Sequence, residues 1–170
     1  MNLKHELFTM CMILKDDKVL LINRPNKLGF PGFIAPGGKV DYPESIVDGA
    51  IREVREETGL IITDITYKGL AEYCEPKTGL RSMVFNYLAT SFEGELLENP
   101  PEGELLWIER EKALELPMQD WFKSRFPLFF NQGTFEISSV WDKDKNITTG
   151  RTEKHYSESK VINIDSINQS

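Results

Sequence analysis

Gly38-Lys-Val-Asp-Tyr-Pro-Glu44-Ser-Ile-Val-Asp-Gly-Ala-Ile-Arg52-Glu53-Val-Arg-Glu56-Glu57-Thr-Gly59-Leu60 is the stretch from which the rest of the chain is read. Pro43 precedes a helix expected over about 44–58, and Gly59 falls at its C′ position. At the helical period Ile46, Val47, Ala50, Ile51 and Val54 form an apolar arc that must face a core. Glu53, Glu56 and Glu57, at i, i+3 and i+4, converge on the adjoining arc, and Asp48, Arg52 and Arg55 are expected on the far side. Two carboxylates ~6 Å apart repel by roughly 3 kcal/mol at an effective dielectric near ~20. A partly buried cluster of three therefore takes up protons or holds a cation. A solvated acidic face is the alternative, but it does not explain why the glutamates border the apolar arc.

Oxygen donors of this kind suit Mg²⁺, with Mn²⁺ also possible. The chain has 2 histidines, His5 and His155, so a zinc site has almost no ligands to draw on. Gly37-Gly38 ahead of the helix is expected to turn the backbone sharply and to present a bare carbonyl to the same cation. The helix N-terminus adds N–H donors and a positive dipole end nearby.

Outside this stretch the chain is that of an ordinary globular domain. Its 170 residues, 40% hydrophobic and 28% charged, are enough for one core and short for two. A formal charge of −7 argues against binding nucleic-acid polymers or an anionic membrane, so an anionic substrate would need local cations. Cys11 and Cys74 stand alone, without a CxxC pair, which fits a reducing cytoplasm. The apolar run Leu7–Leu14 is hemmed by His5-Glu6 and Lys15-Asp16-Asp17-Lys18 and reads as a buried strand, not a leader.

Residues 7–14 and 18–23 read as a hairpin, and 24–38, rich in Pro and Gly, as a structured loop. After the helix, 62–75 and 81–91 read as two long strands joined by Pro76-Lys77-Thr78-Gly79. An acidic loop, a short strand near 105–108, helical signals over 110–114 and 120–130, and a hairpin of 134–141 with 147–151 complete the pattern. One α/β (α+β) domain over 3–152 is expected, followed by a polar tail, 153–170, expected to be poorly ordered.

The box resembles the signature of the Nudix hydrolase family, G-x5-E-x7-R-E-U-x-E-E-x-G-U, where U is bulky and aliphatic. Gly38, Glu44, Arg52, Glu53, Val54, Glu56, Glu57, Gly59 and Leu60 occupy every specified place, and the likeness extends over roughly residues 3 to 132. It implies an α/β/α sandwich with a mixed central sheet and one catalytic helix. It also implies Mg²⁺-dependent hydrolysis of a nucleoside diphosphate linked to X. Carried over, Glu53, Glu56, Glu57 and the Gly38 carbonyl are metal ligands, Arg52 orients Glu53, and Glu44 ties loop to helix. Gly37 and Gly59 shape the backbone. With no histidine placed as base, the candidates are Glu53 or Glu56 in the box and Glu102 outside it, the last preferred to Glu104 as a further ligand or base.

For substrate, the chain looks like the MutT/MutX-type 8-oxo-dGTP diphosphatases, on Arg24-Pro25, Thr78-Gly79-Leu80-Arg81, Ala89–Gly94 and Glu102-Gly103 ahead of Trp107-Ile108. Arg24 and Lys39 would meet phosphates, and Phe33, Tyr73 and Trp121 are candidates to stack on a base. Ile34 and Gln119-Asp120-Trp121 depart from the asparagine and acidic pair of mammalian oxidised-purine hydrolases. ADP-ribose hydrolysis is the main alternative, since Pro76 falls where such enzymes carry a proline. A non-catalytic nucleotide sensor on the same fold is the alternative from another class. The expected partner is a small nucleotide, and oligomeric state is open.

Overall fold

In a computed structural model, which describes residues 1–157, strands dominate, and the box helix is the longest helix among them. The strands are β1 (Lys4–Lys15), β2 (Lys18–Arg24), β3 (Gly32–Ile34), β4 (Gly37–Lys39), β5 (Ile61–Glu75), β6 (Leu80–Glu93), β7 (Glu104–Glu109), β8 (Thr134–Asp142) and β9 (Ile147–Tyr156). Helix α1 spans Ile46–Thr58, and α2, Asp120–Arg125, runs on as a 3-10 turn over Phe126–Phe130. The segment expected to be a structured loop, 24–38, also holds a 3-10 turn over Asn26–Leu28, β3 and the start of β4, each too short to show a period. Strand β9 continues to Tyr156, past residue 152, and the remainder of the expected tail, 158–170, lies outside the described residues.

The main path of the mixed sheet runs β3-β2-β1-β6-β5-β8-β9, with β4 paired to β1 and β7 to β2. β1 pairs parallel with β6 and β5 parallel with β8, while the other pairs are antiparallel. Alternation along β1 sorts the core into layers. Met10 and Met12 point to one side, against Phe122, Phe126 and Phe129. Cys11 and Ile13 point to the other, against Ala50 and Val54 of α1. Helical elements thus cover both faces, as the α/β/α reading requires. Burial pushes the Cys11 thiol up to about 12, so it behaves as a core hydrophobe.

Each end of α1 is set by a named group. The Ser45 side chain accepts a hydrogen bond from the Asp48 N–H at 3.1 Å. At the other end Gly59 adopts φ 86°, left-handed, and its N–H donates to the Arg55 carbonyl at 2.9 Å. The apolar arc read from the sequence packs as expected, with Ile46, Val47, Ala50, Ile51 and Val54 all in the layer between α1 and the sheet. Among the described residues no helix is long and apolar enough to cross a membrane.

Ser45→Ala removes the N-cap and should cost about 1 kcal/mol. Urea denaturation should show it as a lowered midpoint with an unchanged slope; an unchanged midpoint would show that the cap contributes nothing.

Candidate active site

Strand β4 places the box glycines against β1, with Gly38 opposite Thr9 and Gly37 opposite Met10. A Cβ on Gly37 would lie 2.1 Å from the Thr9 carbonyl, and one on Gly38 would lie 2.5 Å from the Glu53 carboxyl carbon. Neither glycine has positive φ. The glycines therefore serve close approach within a strand, not the sharp turn expected from the sequence. At Gly38 the absent side chain leaves space that the Glu53 carboxylate fills.

Arg52 does not point to the far side of the helix. Its guanidinium folds back and gathers the site. Nη2 donates to Glu44 Oε1 at 2.8 Å and to the Lys39 carbonyl at 2.9 Å, and Nε donates to Glu44 Oε2 at 3.0 Å. Nη1 donates to Glu53 Oε1 at 2.8 Å and to Glu56 Oε2 at 3.0 Å. The planar fork makes this possible, since one side chain supplies donors in fixed directions to strand, loop and helix. Glu44 also accepts from the Asp41 N–H at 2.7 Å. Arg52 and then this N–H hold the Glu44 carboxyl down at about 2.

Glu57 experiences the reverse. It is buried at the sheet side of α1, where its one hydrogen bond comes from the Gly37 N–H at 3.2 Å. Burial, opposed by that N–H and reinforced by the nearby Glu53 and Glu102 charges, pushes its carboxyl up to about 8. Glu53 is also raised, first by burial, against the pull of Arg52. Two carboxyls of one motif are thus driven apart, one kept ionised and one favouring its proton.

Among the described residues no three Asp, Glu, His or Cys side chains meet closely enough to hold a metal ion as they stand. The sequence-level convergence of Glu53, Glu56 and Glu57 is therefore one of neighbourhood only. Like charges repel, and each takes the nearest N–H: Glu53 and Glu56 from Arg52, Glu57 from Gly37. The donor set nevertheless fits a hard divalent cation, being all oxygen, with Glu53 pressed onto Gly38 and Glu57 buried and bonded to the Gly37 N–H.

Glu102 approaches from the loop before β7, close enough to act on Glu57, and its Oε2 lies 3.7 Å from Arg24 Nε. Arg24 Nε is buried and has no hydrogen-bond acceptor, while Nη2 donates to the Leu28 carbonyl at 3.0 Å. Glu104 is exposed. Lys39 is also exposed, its Nζ 4.0 Å from Glu6. His5 and His155 are exposed, the latter bonded to Glu153.

Phe33 and Trp121 line the other face of the sheet, in the layer with Met10 and Phe122. Beside them is Arg125, a fully buried guanidinium that sequence reading did not single out. Its place after Lys123 in a short helix suggests a solvated face; only the tertiary fold reveals otherwise. Asp41, 3.4 Å from Arg52, was likewise not singled out.

The NUDIX domain family model matches residues 4–129. An uncharacterized Nudix hydrolase, YvcI, of Bacillus subtilis is 38% identical over 114 residues, covering 65% of this chain and 70% of that protein. An ADP-ribose pyrophosphatase of Methanocaldococcus jannaschii is 46% identical over 50 residues, 29% of this chain and 30% of its own length. The crystal structure of a MutT protein from Bacillus halodurans superposes with a TM-score of 0.75 at 30% identity, over 87% of this chain and 97% of that one.

The raised Glu57 carboxyl has a consequence for stability. Its folded value, about 8, lies above the ordinary carboxylate range of the unfolded chain, so folding retains a proton. That contribution is complete below the unfolded value and is lost as pH rises through about 8. In chelator, wild-type melting temperature should therefore fall more between about pH 5 and 9 than that of Glu57→Gln, which carries no charge to bury. Parallel melting curves for the two proteins would refute the burial argument.

Proposed function

The chain belongs to the Nudix family and is a hydrolase of nucleoside diphosphate-linked substrates, and from that premise we propose that it is a Mg²⁺-dependent nucleoside triphosphate pyrophosphohydrolase. The preferred substrate is an oxidised purine nucleotide such as 8-oxo-dGTP, cleaved to monophosphate and pyrophosphate. The Arg52-centred hub carries this reading, because it holds the Glu44, Glu53 and Glu56 carboxyls in one hydrogen-bonded group beside the bare Gly38 backbone. The reach of the MutT likeness, 87% of this chain, supports the triphosphate.

Glu53, Glu56, Glu57 and Glu102, with the Gly38 carbonyl, would hold the divalent cation. When bound, such a cation neutralises the diphosphate and lowers the pKa of water. Arg52 holds the Glu53 and Glu56 carboxyls by hydrogen bonds and directs them across the helix face. Glu57 adds an oxygen donor from a desolvated position, where charge interactions are strong. Glu53, Glu56 or Glu102 takes the proton of the attacking water, and Glu56 is the most solvent-exposed of the box glutamates. Arg24, next to Glu102, adds positive charge toward a phosphate oxygen. Lys39 adds positive charge near the box. Phe33 and Trp121 supply flat apolar surface for a base.

ADP-ribose is the second reading, favoured by the ADP-ribose pyrophosphatase match, although that match is confined to 50 residues. The two differ in their products.

With Mg²⁺ and a panel of 8-oxo-dGTP, dNTPs and ADP-ribose, mass spectrometry should find a nucleoside monophosphate and pyrophosphate as the dominant products. AMP with ribose phosphate as the dominant pair would instead establish the second reading. Glu56→Gln should lower kcat by about 10²–10⁴-fold and leave the circular dichroism spectrum unchanged. Near-normal turnover of that variant would remove Glu56 from the machinery.

A further inference from the structure

Arg125 ends α2 and is 0% exposed, yet none of its contacts among the described residues is a carboxylate. Nη2 donates to the Tyr73 hydroxyl at 2.5 Å, and Nη1 donates to Asn86 Oδ1 at 3.3 Å, with Met10 Sδ at 3.9 Å. Nε has no acceptor at all. A guanidinium removed from water without a counter-charge is costly, so an arginine of purely structural use would be expected to end on an acid. Asn86 cannot turn to relieve it, because its Nδ2 is already committed to the Gly69 and Val84 carbonyls at 3.1 and 2.9 Å.

The position joins this cation to the site. Met10, on β1, touches Arg125 and is the register partner of Gly37, whose N–H serves Glu57, so β1 links Arg125 to the box glycines. The Trp121 ring covers the guanidinium, 5.0 Å from its carbon to the ring centroid. Phe30 meets Trp121 edge-on at 6.4 Å; it is 63% exposed and holds φ 46°, a left-handed conformation rare for a bulky residue. A flat apolar cover, strained at its outer edge, lies over a buried donor whose Nε–H is unused.

We propose that Arg125 is a specificity-determining residue of the nucleoside subsite, donating to the O6 of an oxopurine that slides against Trp121 and rejecting the 6-amino group of adenine. This rests on the hydrolase reading above and narrows its substrate class. A guanidinium has donors only, so it complements a base edge whose acceptor stands where adenine carries an amine. Asn86 Oδ1 is already engaged by Arg125, which leaves the adenine amine without an acceptor from that side chain. A phosphate fits less well, since the aromatic walls match a planar ring and leave few further donors.

Calorimetric titration of the wild-type protein with GMP, IMP and AMP in Mg²⁺ should show GMP and IMP binding about tenfold or more tighter than AMP. IMP isolates O6, since it lacks the 2-amino group of guanine. Equal binding of the three, or preference for AMP, overturns the proposal. In Arg125→Met the ratio of kcat/KM for dGTP over dATP should fall by about tenfold or more, and Arg125→Lys should recover part of it. A structural role would lower both substrates together and leave the ratio intact, which also overturns the proposal. Where the methionine variant does not fold, the wild-type binding ratio decides alone. Oxopurine preference in binding without hydrolysis of any nucleotide would sustain this inference and sink the enzymatic one. Hydrolysis without base preference would do the reverse.

Discussion

One guanidinium joins the parts of this molecule that matter for chemistry. Arg52 is bound to the Lys39 carbonyl of β4, to Glu44 of the connecting loop and to two glutamates of its own helix. Each bond is modest in isolation, but together they are charge-assisted, share one rigid plane and span three segments. Removing the fork would free the loop from the helix and leave Glu53 and Glu56 to repel one another. The geometry of the box is therefore a property of the Arg52 network, on which the individual carboxylates depend.

Burial then differentiates groups that look equivalent on paper. Glu44 and Glu57 are both box glutamates, yet one is held at about 2 by Arg52 and the other pushed up to about 8 by desolvation. Arg125, across the sheet, is a cation under the same pressure, its charged form disfavoured by burial. Strand β1 separates the two, with Met10 touching Arg125 and its partner Gly37 serving Glu57. Buried titratable groups thus lie on both faces of one β layer, where interactions with charge are strong.

The box was legible because its period is helical and its chemistry is in the spacing. Ile46, Val47, Ala50, Ile51 and Val54 predicted the buried face, and Gly59 predicted the end. The long strands and the late hairpin could be read for the same reason, since alternation and turn residues are local signals. Strands β3 and β4 could not, being three residues each. Arg52 was misplaced because a helical wheel positions Cβ atoms, whereas a long side chain reaches back over more than a turn. The glycines were assigned to a turn, although their need is room for Glu53 and for the Thr9 carbonyl.

The sequence by itself determined the reaction class and the central helix, since nine specified positions in one register leave little freedom in the chemistry they serve. Only the tertiary structure decided which carboxyl is held down and which pushed up, where Glu102 meets Arg24, and that Arg125 is a buried cation instead of a surface charge. The reason is physical. Periodicity is a local property of the chain, but desolvation depends on what the other strands place around a side chain, and that is settled only when the sheet closes over it.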